Sequence, residues 1–154
     1  MIKIRQATLE DLPEITTIFR DTIRAVNSKD YSEKQIDVWS SAADDHEEWK
    51  DRIENLYFLV AEFKNEIAGF AYLKDGFYLD GIFVHKDFQR RTIASKLLRI
   101  MESRAAVNGF DMLKSDISIT AFPFFDSHYY EVEKRQKKNY KGLAFDNILV
   151  YREL

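Results

Sequence analysis

Two groups of side chains in this sequence have the types and spacing to do chemistry. Asp80 interrupts the aromatic and aliphatic run "FYLDGIFV" (Phe77–Val84), where a carboxylate is unexpected unless that face of a strand opens onto a cleft. It is a candidate general base or, alternatively, an edge-strand solubiliser or hydrogen-bond partner. Shortly after it comes Gln89-Arg90-Arg91-Thr92-Ile93-Ala94-Ser95, which opens the segment with the strongest helical periodicity. Arginines at a helix start face the positive end of the macrodipole, a mismatch of roughly 0.3–1 kcal/mol per charge. They make sense there if a polyanion docks. A helix N-terminus already offers unpaired N–H groups and roughly half a positive charge, and phosphates are its usual guests. Gln89, Arg90 and Arg91 add donors, with the Thr92 and Ser95 hydroxyls close by. The other reading is an exposed helix start with two solvated arginines.

The elements that must position these groups follow from the pattern. Ile2 and Ile4 alternate with Lys3 and Arg5 as a first strand. Thr8 offers an N-cap and Pro13 is tolerated early in a helix whose apolar spacing runs to about Asn27. Ser32 with Gln35 forms a capping box for a short helix through Trp39, and "DDHEEWKDRIEN" is a third helical piece or a loop carrying one turn. Leu56–Phe63, Glu66–Lys74 and Phe77–Val84 are three strand-like runs separated by short polar turns, an antiparallel meander. Ile93, Leu97, Leu98, Met101 and Ala105 then stripe one long helix, with Gly109 as its stop. "MLKSDISI" is a strand, "TAFPFFDSHYY" a short aromatic helix, and "YYEVEKRQKKNYKGLAFDNILVY" a long hairpin. The strands before and after the long helix are expected to be parallel, joined by a right-handed crossover. The expected class is α/β or α+β: a mixed, mainly antiparallel sheet of about seven strands flanked by helices, in one domain over residues 1–154.

Composition excludes several functions. The 23 Lys+Arg against 26 Asp+Glu leave a net charge of −3, which argues against a dedicated nucleic-acid binder. With no cysteine there is no thiolate nucleophile and no Cys-ligated zinc. No apolar run reaches membrane-spanning length and no targeting pattern is seen, so a cytoplasmic location is expected. The glycines form neither G-x-G-x-x-G nor a Walker A loop.

The segment "LDGIFVHKDFQRRTIASKLL" resembles the acyl-CoA motif of the GNAT superfamily of N-acyltransferases, Gln/Arg-x-x-Gly-x-Gly/Ala following a strand and opening a helix. Gln89 and Ala94 match; Thr92 stands where the central glycine is usual, and Arg90 where glycine is frequent. The element order extends the resemblance over residues 2–152. It implies an acetyl-CoA-dependent N-acetyltransferase acting by direct transfer on a primary amine of a small molecule or peptide, with no metal. It further implies that backbone groups of Ile82, Phe83 and Val84 hold the pantetheine arm and thioester, and that amides from Gln89 through Arg90, Arg91, Thr92, Ile93 and Ala94 to Ser95 cradle the pyrophosphate. Such a swap at Thr92 is tolerable with an ordinary helical φ and damaging if φ must be positive. Asp80 is the expected base and a contact to the acceptor, and a main-chain N–H near Phe83 or Val84 the expected oxyanion donor. Where many relatives place a tyrosine acid, this chain has Phe125, so Tyr129 is the candidate acid, with packing as its other role.

The remaining candidates have bland readings beside sharp ones. Tyr31 and Trp39 lie where the resemblance places the acceptor wall, with Asp30 to attract a cationic amine; a capped turn and a core tryptophan are the alternatives. His85 ends the strand beside the cofactor loop and is otherwise structural. "DDHEEW" reads as a solvated helix start rather than a metal cluster, and "EKRQKKNYK" as a solvated hairpin rather than an RNA site. A catalytically weak CoA-binding or regulatory module is the alternative function. Either a monomer or a homodimer is compatible with the sequence.

Overall fold

A computed structural model describes residues 1–89 and 92–154. Seven strands form one sheet: β1 (Ile2–Gln6), β2 (Tyr57–Phe63), β3 (Glu66–Lys74), β4 (Tyr78–Val84), β5 (Met112–Ser118), β6 (Glu131–Tyr140) and β7 (Leu143–Glu153), in the order β1-β2-β3-β4-β5-β7-β6. Helices α1 (Leu12–Ala25), α2 (Glu33–Ser40) and α3 (His46–Asn55) precede β2. The long helix α4 (Ile93–Val107) joins β4 to β5, and the short α5 (Phe122–Ser127) joins β5 to β6. The expected single helix from Thr8 divides: Leu9–Asp11 makes one 3-10 turn before α1 begins. At α2 the capping box is as expected, with the Gln35 amide donating to Ser32 Oγ at 3.1 Å and the Ser32 amide to Gln35 Oε1 at 2.8 Å.

Period-2 alternation gives the sheet two different faces. Phe58, Val60, Phe70 and Tyr72 point to a cluster with Ile15, Phe19, Ile23 and Trp49 beneath α1–α3. Leu59, Ala61, Ala71 and Leu73 point the other way, against the α4 stripe of Ile93, Leu97, Leu98, Met101 and Ala105. Each fully buried aliphatic side chain of that stripe contributes roughly 1.5–3 kcal/mol. The first face is a ring stack, with Phe58 and Tyr72 centroids 4.9 Å apart and Phe70 and Phe83 5.3 Å apart.

The geometry that matters for function lies in β4. Leu73 pairs with Leu79 and Tyr72 with Gly81, which leaves Asp80 as the extra residue of a β-bulge. On its other side β4 shares a single parallel register pair with β5, Tyr78 with Lys114. Ser115 Oγ donates to the Leu79 carbonyl at 2.6 Å, where the ladder between these strands ends. Beyond that point the strands part, and residues of both, Gly81–Val84 and 115–118, line one cleft.

Gly81 is required by the ring stacked against it. A Cβ there would sit 2.3 Å from Cζ of Tyr72, a ring only 3% exposed and held between Phe58 and Trp49. Gly81→Ala is expected to cost about 1–3 kcal/mol by overpacking; an unchanged urea midpoint would show that the ring has room to move.

Candidate active site

The cleft between β4 and β5 has a volume of about 500 Å³ and is walled by α1, the α1–α2 connection, α5 and the β6–β7 hairpin. Backbone direction along β4 decides what faces it. The Lys114 amide donates to the Phe77 carbonyl at 3.1 Å, and with the Leu79 contact this turns odd-numbered carbonyls toward β5. Past the bulge the parity reverses. The His85 amide donates to Ala68 of β3 at 2.7 Å, so the Val84 carbonyl, anti to it across the same peptide plane, points to the cleft. Gln89 Nε2 donates to that carbonyl at 2.7 Å and Thr22 Oγ1 at 3.2 Å. An extended residue presents its N–H and C=O along one edge, so the Val84 N–H points into the cleft, as does the main chain of Ile82. The main chain of Phe83 faces Phe70 in β3 instead. Of the three residues expected to offer backbone to a pantetheine arm, Phe83 thus turns its main chain to β3 while it still lines the cleft.

Four carboxylates line the cleft, and three are occupied. Glu48 pairs with Arg52 at 2.5 Å, and Asp146 with Lys137 at 3.5 Å. Asp116 accepts from the Tyr78 hydroxyl, from Gln136 Nε2 and, at 3.0 Å, from Lys138 Nζ. Burial, and then the hydrogen bond to Asp116, push the Tyr78 phenol up. Among the described residues Asp80 alone of the four has no ion pair, and its exposed side chain sits on the bulge at the cleft wall.

The helix start departs from one expectation. Thr92 has φ +65° and ψ 7°, the left-handed region, immediately before Ile93 opens α4. The condition under which a threonine there is harmless is thus not met: the backbone requires a positive φ, which a β-branched residue adopts at a cost of roughly 1–2 kcal/mol. Ile93 is buried in the core beneath the sheet, while Gln89 and Ala94 line the cleft. The Ser95 hydroxyl meets His128 Nε2 at 2.9 Å, and His128 Nδ1 lies 2.8 Å from the Phe124 carbonyl. The ring therefore donates from Nδ1 to the carbonyl, and its contact with Ser95 ties the end of α5 to the start of α4. Arg90 and Arg91 lie outside the described residues.

Tyr31 and Trp39 both line the cleft, and Asp30 does not. The Tyr31 hydroxyl donates to the Asp146 carbonyl at 2.8 Å and accepts from the Ile119 amide at 2.9 Å. It is a clamp between two walls, and burial holds its phenol above the ordinary range. His85 does not line the cleft; its Nδ1 accepts from the Asp87 amide at 3.0 Å and caps a turn. Tyr129 is the candidate acid from the sequence. It has φ +68°, is 79% exposed, and does not line the cleft. Phe125 is fully buried, its ring against Tyr130 at 5.2 Å.

Sequence reasoning missed Thr120, Asp116, Tyr140, Phe145 and Asn147, all of which line the cleft. Thr120 Oγ1 and Asn147 Oδ1 are buried with no hydrogen-bond partner among the described residues. Such atoms cost about 1–3 kcal/mol each unless a ligand or water pairs them. Period-2 alternation along β5 and β7 was the available signal, but it does not say which strand edges part. Among the described residues no group of three or more His, Cys, Asp or Glu is placed to hold a metal ion, and no helix is long and apolar enough to cross a membrane.

Comparison with known proteins places the chain in a family. The model of the family described as acetyltransferase (GNAT) domain matches residues 27–147. The chain belongs to the GNAT acetyltransferase family. An N-acetyltransferase of Escherichia coli K12, YafP, is 30% identical over 146 residues, covering 95% of this chain and 92% of that one. A GCN5-related N-acetyltransferase of Rhodopseudomonas palustris has the same fold with a TM-score of 0.96 at 30% identity, over 99% of this chain and 95% of the other. The PaiA N-acetyltransferase of Thermoplasma acidophilum, in complex with coenzyme A, matches at a TM-score of 0.82 and 17% identity over 100% and 99% of the two chains. At that identity the likeness is one of fold.

The left-handed Thr92 gives a direct test. Thr92→Gly is expected to raise stability by about 0.5–1 kcal/mol, since glycine meets no Cβ penalty there but gains freedom when unfolded. A fall in the denaturation midpoint would mean that the threonine side chain outweighs its backbone cost.

Proposed function

We propose that this GNAT protein transfers an acetyl group from acetyl-CoA to a primary amine of a small molecule or peptide, directly and without a covalent intermediate. The supporting observation is that Asp80, set on the bulge, is the cleft carboxylate with no ion pair among the described residues, next to the stretch of β4 whose Val84 N–H turns inward. The residues present fit the carrier: the inward main chain of Ile82 and Val84 can flank an extended arm, and Gln89, before the start of α4, and Ala94, in its first turn, border the same cleft. Acetyl-CoA, when bound, supplies a thioester carbonyl open to attack and a thiolate leaving group.

The chain's own groups then have distinct tasks. An aliphatic amine titrates near ~10.4, so at neutral pH it arrives as an ammonium that must shed a proton. Asp80 attracts that cation and takes its proton, directly or through a water. The Val84 N–H donates toward negative charge developing on a carbonyl oxygen in the cleft. Thiols titrate near ~8.5, so a departing thiolate needs only modest assistance. The Thr120 hydroxyl, in the turn before α5, buried and without a partner among the described residues, is the donor assigned to it. Phe125 favours one other reading, a CoA-binding module with weak turnover, because a phenyl ring donates nothing.

With a panel of primary amines and a thiol-reactive dye, wild-type protein is expected to release CoA. Asp80→Asn is expected to lower kcat/KM on the order of 10²-fold while acetyl-CoA still raises the melting temperature. Tight acetyl-CoA binding with no release for any amine would select the binding module. Tyr129→Phe is expected to leave kcat/KM within about twofold, because a positioned acid contributes 10²-fold or more and Tyr129 faces solvent.

A further inference from the structure

The part of the cleft wall built by the α1–α2 connection, α2 and the β6–β7 hairpin has a composition that the transfer reaction does not use. Tyr31, Trp39 and Phe145 form a mutual ring cluster, with centroids 5.3 Å apart for Tyr31–Trp39, 6.1 Å for Trp39–Phe145 and 6.2 Å for Tyr31–Phe145. Tyr140 extends it, 6.4 Å from Phe145, and all four rings line the cleft. The wall is pinned in place. The Tyr31 hydroxyl bridges the Ile119 amide and the Asp146 carbonyl, and Gln35 Nε2 donates to the Ala144 carbonyl at 2.9 Å. Since its hydroxyl is engaged at both ends, Tyr31 presents a ring to the cleft rather than a donor.

Asn147 follows Phe145 by two residues on β7, so both project from the same face. Its Oδ1 is buried in the cleft lining without a partner among the described residues. Among the described residues, each cation of the lining, Arg52 and Lys138, is paired, whereas Asp80 is not. The unpaired charge among the described lining residues is therefore negative.

We infer that the acceptor is an arylalkylamine: a primary ammonium on a short saturated arm, carried by an aromatic ring that bears a hydrogen-bond donor. This rests on the transfer reading above. The ammonium is drawn to Asp80, the ring packs offset or edge-on against the four-ring wall, and the donor pairs with the Asn147 carboxamide. A peptide would lay backbone N–H and C=O groups against rings that cannot satisfy them, which is costly. A linear alkylamine fills the space but lacks the ring-on-ring contacts, which favour aromatic partners by up to about tenfold.

The test compares tyramine, 2-phenylethylamine, hexylamine and a trialanine peptide as acceptors at saturating acetyl-CoA. The expected kcat/KM order is tyramine, then 2-phenylethylamine, with hexylamine and the peptide about two- to tenfold lower. Phe145→Leu, with a melting temperature checked against wild type, is expected to shrink the ratio of 2-phenylethylamine to hexylamine. Asn147→Ala is expected to abolish the preference for tyramine over 2-phenylethylamine. Hexylamine or the peptide matching tyramine would overturn the inference and leave acetyl transfer standing. If no amine is turned over, the transfer reading falls and binding decides. Trp39 lies in the cleft wall and Trp49 is fully buried, so saturable fluorescence quenching by tyramine and not by hexylamine supports the pocket assignment. Equal or absent quenching by the two overturns it.

Discussion

One unmatched residue in β4 governs the site. Because Asp80 has no partner opposite it, the strand changes the parity of its peptide groups between Leu79 and Val84. Before the bulge, odd-numbered carbonyls face β5; after it, the Val84 carbonyl and N–H do. The same insertion projects a carboxylate at the wall and coincides with the parting of β4 from β5, which share only the Tyr78–Lys114 pair. A regular β4 would place the main chain of Phe83, not Val84, toward the cleft and would leave no extra residue to carry the acid. Bulges increase local twist as well as inserting a residue, which fits the divergence of the strands just beyond.

Neighbouring contacts keep that fork open and its charges in order. Ser115 ends the ladder by donating to Leu79, and Asp116 gathers Tyr78, Gln136 and Lys138 from β4 and β6 onto one carboxylate. A carboxylate with three donors is a structural hub and poorly suited to take a proton from an incoming amine. Glu48 and Asp146 are likewise engaged. The pairing of Lys137 and Lys138 with acids also removes two cations from the basic hairpin that an RNA-binding reading would need. Asp80 is distinguished by this elimination as much as by its own position.

The aromatic richness of the chain, with 12 Phe and 8 Tyr, divides between two tasks. Phe58, Phe70, Tyr72 and Trp49 form a dry stack that holds the sheet against α1–α3 and forces a glycine at position 81. Tyr31, Trp39, Tyr140 and Phe145 instead line open space. Both sets have the same residue types, and only their surroundings separate core packing from cleft lining.

Much of the fold was legible in the sequence. The meander, the α4 stripe ending near Gly109, the Ser32–Gln35 cap and the parallel β4–β5 connection all follow from periodicity and caps, which are local properties. The family resemblance was legible for a related reason, since a strand, loop and helix in sequence carry it. What tertiary structure decided was long-range. No local pattern shows that Asp80 is a bulge residue, since that depends on the register with Tyr72 and Leu73. Nor does any local pattern show that Tyr129 turns outward, that Thr92 is left-handed, or that Asn147 of β7 shares a cleft with Tyr31 from the α1–α2 connection. Sequence spacing fixes which face of its own strand or helix a side chain occupies; which other faces meet it, and which edges stay unpaired, is settled only when distant segments pack together.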